Sequence, residues 1–586
     1  MLAIFDYSSA SVVDISWKFL FACTPFLIAF LTAQAPYAST VLLQHSLDCT
    51  KNSLKLSSLF SNGLVLQRGE LTRVWGWASE SCTVSVEIQS IGVGGNAVLA
   101  EVVHDGNGFW VATLPPQTAS IHASGLVIQT NGGDLINLEI FFGEVLLCAG
   151  QSNIAGHPMD GSVGPADVAI SLTVEPHKLR KSLETHSFPV RYLMLNKSSF
   201  WCVGEALSDL EFKPTFPWTD ASLLSPHVEA FSGVCWSAGR YLAEELNGEV
   251  PVGMIEVAVG GSFIQAWSSH ESNKACAAPE VPNDFIAWAQ GGKGGIRNGL
   301  IGPLLPGPIT LGGVLWYNGE SNSLAVQHAY YACALPALLS EWRSAFKKPD
   351  LWFGVVQLHP FFIYDTTREP TAFIRSLQTN LVGNGLNGVS VIPTVDLGDP
   401  LSPSGNLHPR FKFSIGKRIA RAYAGAHLKS GPLFSGGPRY ASARILQKPQ
   451  RGLAAMNDNP CSWAVEVRFV EGSVGGGGLA IRGYSEESFA TRCPIQEGVP
   501  AEFCESFSIQ GSDGNWRNVT HVSLGEGGDT LILSLNVAPD GVECTPNFVS
   551  LRPVATRSGY TSWPVSTVSD LTELPAHPWG PSLIQS

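Results

Sequence analysis

The sequence predicts an α/β protein. A flavodoxin-like three-layer domain with a parallel sheet, at about residues 141–427, is flanked by an N-terminal β-domain at about 50–140 and a C-terminal β-domain at about 428–586. Three observations carry this. From residue 141 onward, short apolar runs of buried-strand character alternate with helical periodicity, as in βαβ units. Those runs stop abruptly in small or polar clusters, where open α/β sheets place ligands and nucleophiles. The two flanks instead carry short alternating runs broken by Gly, Asn and Pro.

Taken in order, residues 1–38 read as a secretory signal peptide. Phe19 to Ala33 is apolar but too short to span a bilayer comfortably, and Pro25 interrupts it. Ala33-Gln34-Ala35 and Tyr37-Ala38-Ser39 then offer small-residue cleavage patterns. Asp6 and Asp14 outweigh Lys18 at the front, so an uncleaved anchor is the alternative. In the first β-domain, Thr83 to Ile88 and Phe109 to Leu114 alternate as half-buried strands. It holds no cluster of catalytic groups and reads as a structural or interaction module.

The α/β domain opens on Val145 to Ala149, a buried strand ending at Gly150-Gln151-Ser152-Asn153. Val252 to Val259 is a second, ending at Gly260-Gly261-Ser262, and Ile309 to Tyr317 a third, ending at Asn318-Gly319-Glu320-Ser321-Asn322. Between about Ala325 and Phe346, Tyr331, Leu335, Leu338, Leu339 and Trp342 form a helical stripe. Trp352 to Leu358 and Val389 to Leu397 are further strands. The second runs into Asp396 and Asp399, a turn-rich stretch, and His408-Pro409 before an amphipathic helix from Arg410 to Ala424. In the last domain Val465 to Val470, Leu479 to Ile481 and Thr530 to Leu535 read as strands, and the glycine run after Ser473 as a loop.

With 586 residues the chain exceeds one core. Only 15% of residues are charged and the net charge is −13, which argues against a nucleic acid or an anionic membrane as partner. No metal spacing such as C-x-x-C or H-E-x-x-H occurs. In an oxidising compartment Cys461, Cys493, Cys504 and Cys544 invite disulfides, whereas Cys148, inside a buried strand, reads as a plain core residue. Asn196 and Asn518 head glycosylation sequons.

The clustered strand ends suit acyl transfer, which needs a nucleophile, a base, an acid to orient the base, and donors for an oxyanion. Ser152 is the candidate nucleophile and His408 the base. Oxyanion donors are the Ser152 N–H, the Gly261 N–H and the amide of Asn318, or else of Asn322; Gln151 and Glu320 border the same clusters as binding candidates. Asp399 is favoured over Asp396 as the orienting acid, with a Ser-His dyad as the remaining alternative.

G-Q-S-N at Gly150 to Asn153, W-Y-N-G-E-S-N at Trp316 to Asn322 and L-H-P at Leu407 to Pro409 resemble the motif blocks of the sialate O-acetylesterases. These are carbohydrate esterases of the serine-glycine-asparagine-histidine hydrolase superfamily. The resemblance extends to Leu59 through Arg68, to Thr561-Ser-Trp-Pro and to Leu574-Pro-Ala. It implies release of acetate from O-acetylated sialic acid or sialoglycan, without metal or cofactor, in a secreted or lysosomal setting. Asn318 stands where the family commonly has Gln, and Asn406 where it often has an acid. The rival expectations are an acetyl esterase for another polysaccharide such as xylan, and an inactive glycan-binding homologue. The sequence does not specify an oligomeric state.

Overall fold

Val145 to Ala149 forms a strand, but only as the end of a much longer one. In the computed structural model, a single 16-residue strand, Leu135–Gly150 (β1), runs through the position expected to separate the first two domains. The structure describes residues 49–585 except 91–96, 156–188, 196–212, 221–230, 278–293, 324–326, 363–368, 384–385, 431–433, 435, 447–461, 482–503, 537–550 and 562. The signal read at 1–38 and residues Asn196, Cys202, Cys461, Cys493 and Cys544 lie outside the described residues.

The first half of β1 pairs antiparallel with Ser120–Thr130 and parallel with Leu64–Gln67. Its second half is the centre of the α/β sheet. With Val190–Met194 (β2), Phe216–Asp220 (β3), Val252–Glu256 (β4), Gly313–Tyr317 (β5), Trp352–Val356 (β6) and Val389–Ile392 (β7), the order is β3-β2-β4-β1-β5-β6-β7. Every neighbouring pair is parallel save β3, which runs antiparallel to β2. The sheet is therefore mixed, which corrects the expectation of a parallel one: a β2–β3 pair has been added at one edge. Its short β2, broken by Arg191, lacks the continuous apolar run that marks the central strands. Arg191 finds a place over the Phe141 ring, 4.3 Å from its centroid.

Helices Gly233–Glu245 (α1) and Lys412–Ala422 (α4) pack on one another, and so do Gln327–Ala345 (α2) and Glu369–Gly383 (α3). The α1–α4 approach is close enough to require glycine at 416, where a Cβ would lie 2.0 Å from Ser237 Oγ. Ser232 caps α1 by accepting from Cys235 N at 3.1 Å. On α2 the stripe Tyr331, Leu335, Leu338, Leu339 and Trp342 is buried, as its spacing requires.

One hydrophobic core runs continuously from the N-terminal strands into the α/β domain, while the last β-domain has a core of its own around Val465, Ile509, Leu533 and Trp579. At the start of the α/β half of β1, buried Glu144 accepts from Gln67 Nε2 (2.9 Å), Arg68 Nε (2.6 Å) and Tyr423 Oη (2.6 Å). Three donors from two other segments satisfy one buried carboxylate, which fixes the first β-domain to the second.

Cys148 is not a plain core residue: it is bonded to Cys235 on α1, and Cys49–Cys82 and Cys276–Cys333 are also disulfides. A buried strand cysteine and a helix-facing one both look apolar in sequence, so their pairing is visible only once α1 lies on β1. Replacing Cys148 and Cys235 together with alanine is expected to lower stability by about 3 kcal/mol in equilibrium denaturation, because the cross-link restricts the unfolded chain. An unchanged unfolding midpoint would contradict this.

Candidate active site

The parallel register sets Gly150 opposite Tyr317, at the carboxyl ends of β1 and β5. A Cβ at 150 would lie 2.0 Å from the Tyr317 carbonyl oxygen, and the backbone there has φ +138, so glycine is required on both counts. Beyond it, Gln151 N donates to Tyr317 O (2.9 Å), and Val259 N donates to Gly150 O (2.9 Å). These two bonds draw the segments after β1, β4 and β5 into one cluster. Ser152 then opens a short helical turn, Ser152–Ala155, and is buried.

His408 comes from the loop after β7. Its Nε2 lies 2.8 Å from Ser152 Oγ, and its Nδ1 faces the carbonyl oxygen of Ser404 at 3.2 Å. With the ring proton on Nδ1 donating to that carbonyl, Nε2 is left as an acceptor for the serine hydroxyl. The loop is held by its own bonds: Ser402 Oγ donates to His408 O (2.5 Å), and His408 N donates to Gly405 O (3.0 Å). Gly261, with φ +70, turns the chain after β4, and its carbonyl oxygen accepts from Ser321 Oγ (3.1 Å) in the loop after β5. Among the described residues neither the Ser152 nor the Gly261 N–H is taken by another protein group.

Five residues offered for the site, Asn318, Gln151, Asn322, Asp399 and Asp396, engage other partners. The Asn318 amide spends its hydrogens on Ser262 O (3.0 Å) and Gln151 Oε1 (3.3 Å), so it braces the loop rather than presenting a donor for an oxyanion. Gln151 Oε1 also accepts from Gly319 N (3.3 Å) and Ser321 N (3.2 Å), which makes its side chain the clamp of the 318–322 loop. Asn322 is used similarly, accepting from Ile264 N (3.0 Å) and donating to Gln265 Oε1 (3.0 Å). Asp399, favoured as the acid behind His408, instead grips Arg410 through its N (2.9 Å), Nε (2.6 Å) and Nη2 (2.7 Å). A fork of donors two residues past His408 outcompetes an imidazole for that carboxylate. Asp396 pairs with Arg418 (2.6 Å), and Asn406 Oδ1 accepts from Phe362 N (2.9 Å).

Glu320 lies beneath the pair, in contact with Asn153. Its Oε1 accepts from Asn153 Nδ2 at 2.6 Å, and Asn153 Oδ1 accepts from buried Lys412 Nζ at 2.7 Å. Burial raises the Glu320 carboxyl to about 7, against the opposing Asn153 hydrogen bond and Lys412 charge. His359, after β6, is buried and shares a 2.7 Å hydrogen bond with Tyr317 Oη. Burial, followed by the charges of Lys412, Arg375 and His408, holds it well below the ordinary histidine range, so it stays neutral. Arg375 is fully buried and donates to Leu358 O (2.8 Å), His359 O (2.8 Å) and Thr561 O (2.7 Å), tying the last β-domain to the site's floor.

Residues 143–425 match the family model for carbohydrate esterase, sialic acid-specific acetylesterase. The match spans the α/β domain, just under half of the chain. The sialate O-acetylesterases of Pongo abelii and Homo sapiens are 29% identical to it over 405 residues, covering 63% of this chain and 71% of theirs. That of Mus musculus is 26% identical over 416 residues, covering 63% and 73%. A crystal structure of a carbohydrate acetylesterase from Xanthomonas citri aligns with TM-score 0.66 at 22% identity, covering 90% of this chain and 99% of that one, a likeness of fold.

Sequence reasoning about the esterase missed Asn153, Lys412, His359 and Arg375 as parts of the site. Two of them left a signal: Leu358-His359-Pro360 repeats the Leu-His-Pro of the His408 loop, and Lys412 sits on the apolar stripe of α4 with Ile415 and Ile419. Glu320 yields a pH prediction. Between 4.5 and about 7 the folded esterase retains a proton that the unfolded chain has released, so Glu320 makes stability fall as pH rises through that window. Unfolding curves of wild type and Glu320→Gln should converge toward pH 7 if the wild type is the more stable at pH 4.5, or diverge if it is not. Curves that stay parallel across the window contradict the raised carboxyl.

Proposed function

We propose that the esterase removes O-acetyl groups from sialic acids by acylation of Ser152, with His408 as general base and then general acid. The observation that carries this is the 2.8 Å approach of Ser152 Oγ to His408 Nε2 at the carboxyl edge of the sheet. Nε2 takes the hydroxyl proton as Oγ attacks the acetyl carbonyl, and the resulting oxyanion accepts from the N–H groups of Ser152 and Gly261. The C–O bond to the sugar then breaks, with His408 returning the proton to the leaving alkoxide. Water attacks the acetyl-serine by the same route, releasing acetate and restoring the hydroxyl.

In this reading the enzyme works as a Ser-His dyad whose imidazole is oriented by a backbone carbonyl, Ser404 O, rather than by a carboxylate. Asp399 is then a positioning residue: through Arg410 it closes the two ends of the His408 loop. The fold supports the same assignment. Set apart from the added β2–β3 pair, the strands run β4-β1-β5-β6-β7, the 2-1-3-4-5 order of flavodoxin-like domains, and the dyad sits where ligands gather on such sheets. The three disulfides between described residues and an exposed sequon asparagine, Asn518, support synthesis through an oxidising secretory route to a secreted or lysosomal destination. The substrate is an O-acetylated sialic acid or sialoglycan, as the names of the relatives indicate for them.

Acetate release from 9-O-acetyl sialic acid and from acetylated xylan, measured side by side, tests the reading. Turnover on the sialic acid ester is expected to exceed that on xylan, and Ser152→Ala to lower it about a thousandfold or more. A folded Ser152→Ala protein with wild-type turnover would overturn the nucleophile, and preference for xylan would overturn the substrate. Asp399→Asn is expected to lower kcat by about tenfold, well short of His408→Ala, because it acts only on the loop. Equal losses for the two variants would restore Asp399 to a triad.

A further inference from the structure

Asn153, directly after the nucleophile, is fully buried, and its side chain meets three separate segments. Oδ1 accepts from Lys412 Nζ (2.7 Å), at the start of α4. Nδ2 donates to Glu320 Oε1 (2.6 Å), in the loop after β5, and to Leu407 O (3.0 Å), one residue before His408. The chemistry of these partners fixes the amide's orientation. An ammonium only donates and a backbone carbonyl only accepts, so a flipped amide would lose both bonds. Lys412 thus determines which way Nδ2 points, and Nδ2 reaches the base-bearing loop.

We propose that Asn153, locked between Glu320 and Lys412, is a positioning residue that holds the His408 loop against the nucleophile. The proposal rests on the reading of Ser152 and His408 as the reacting pair. Of the loop's other bonds described above, those from Ser402, Gly405 and the Asp399–Arg410 clasp join parts of one segment and set its shape, and the Asn406–Phe362 bond ties it to the segment after β6 rather than to that of the nucleophile. Setting its distance from Ser152 requires a bond to the nucleophile's own segment, and the Asn153–Leu407 bond is of that kind. A buried carboxyl and a buried ammonium on either side of one amide also solvate each other through it, so the bridge resists replacement by water. Removing it should loosen the Ser152–His408 approach, an error of geometry that acts on the chemical step more than on substrate binding.

The test uses the full chain, with kcat and KM for 9-O-acetyl sialic acid and the rate at which a serine-reactive phosphonate modifies Ser152. Asn153→Ala is expected to lower kcat about a hundredfold with KM changed by less than about threefold, and to slow phosphonate modification in proportion. Lys412→Met should show the same signature, and the double variant should be little worse than either single one, since both act through one amide. A folded Asn153→Ala protein with kcat near wild type, or additive losses in the double variant, overturns the proposal. If Asn153→Ala does not fold, Lys412→Met decides: lowered kcat at unchanged KM supports the bridge, and wild-type kcat overturns it. Ser152→Ala separates the two levels. Loss of turnover there with full turnover in Asn153→Ala refutes only the positioning role, whereas full turnover in Ser152→Ala refutes the dyad itself.

Discussion

The parallel register of β1 between β4 and β5 is the constraint on which the rest of the structure depends. It sets Gly150 against Tyr317 with no room for a Cβ, and the bonds Gln151 N to Tyr317 O and Val259 N to Gly150 O then bring three chain reversals together. A slip of one residue would turn every side chain of β1 to the opposite face of the sheet. Ser152 would then leave the edge where Gly261 and the 318–322 loop converge. The polar anchors around β1 oppose such a slip: Glu144, with its three donors, at one end of the strand's α/β half, and the Gln151 clamp at the other.

Around that edge, buried polar groups are arranged in linked sets rather than singly. Arg375 collects three carbonyls from two domains, and the Phe362 and Trp563 rings, 6.2 Å apart, join the same two domains near Asn406. The last β-domain, with its separate core, therefore contacts the floor of the site through a cation and a ring pair. The N-terminal β-domain differs, because β1 itself belongs to it and the two share one core. Damage to the first β-domain should therefore reach the sheet directly, whereas damage to the last should reach the site through Arg375.

Much of this was legible in the chain. Buried strands announce themselves as apolar runs, and a serine, a glycine and a histidine at their ends suffice to suggest acyl transfer; Ser152 and His408 are 2.8 Å apart. What failed depended on competition between partners. Asn318 has the amide an oxyanion needs, but Ser262 O and Gln151 Oε1 take its hydrogens. Asp399 lies close in sequence to His408, but Arg410, two residues further on, is the stronger donor and takes the carboxylate. Cys148 looked like packing because its partner, Cys235, is on a helix that docks only in the folded protein. The β2–β3 pair escaped notice for lack of apolar length, and Lys412 because a lysine on an apolar stripe reads as an exception until Asn153 is seen beside it.

The proposed mechanism requires one covalent species, an acetyl group on Ser152 formed and consumed in each turnover. Rapid acid quench of the enzyme reacting with 9-O-acetyl sialic acid, followed by proteolysis and peptide mass spectrometry, looks for it directly. Acetylation of the peptide that contains Ser152 is expected, and its absence when His408 is replaced by alanine. Acetyl transfer to another residue, or steady turnover with no acetyl-enzyme under conditions where deacylation has been slowed, would contradict it.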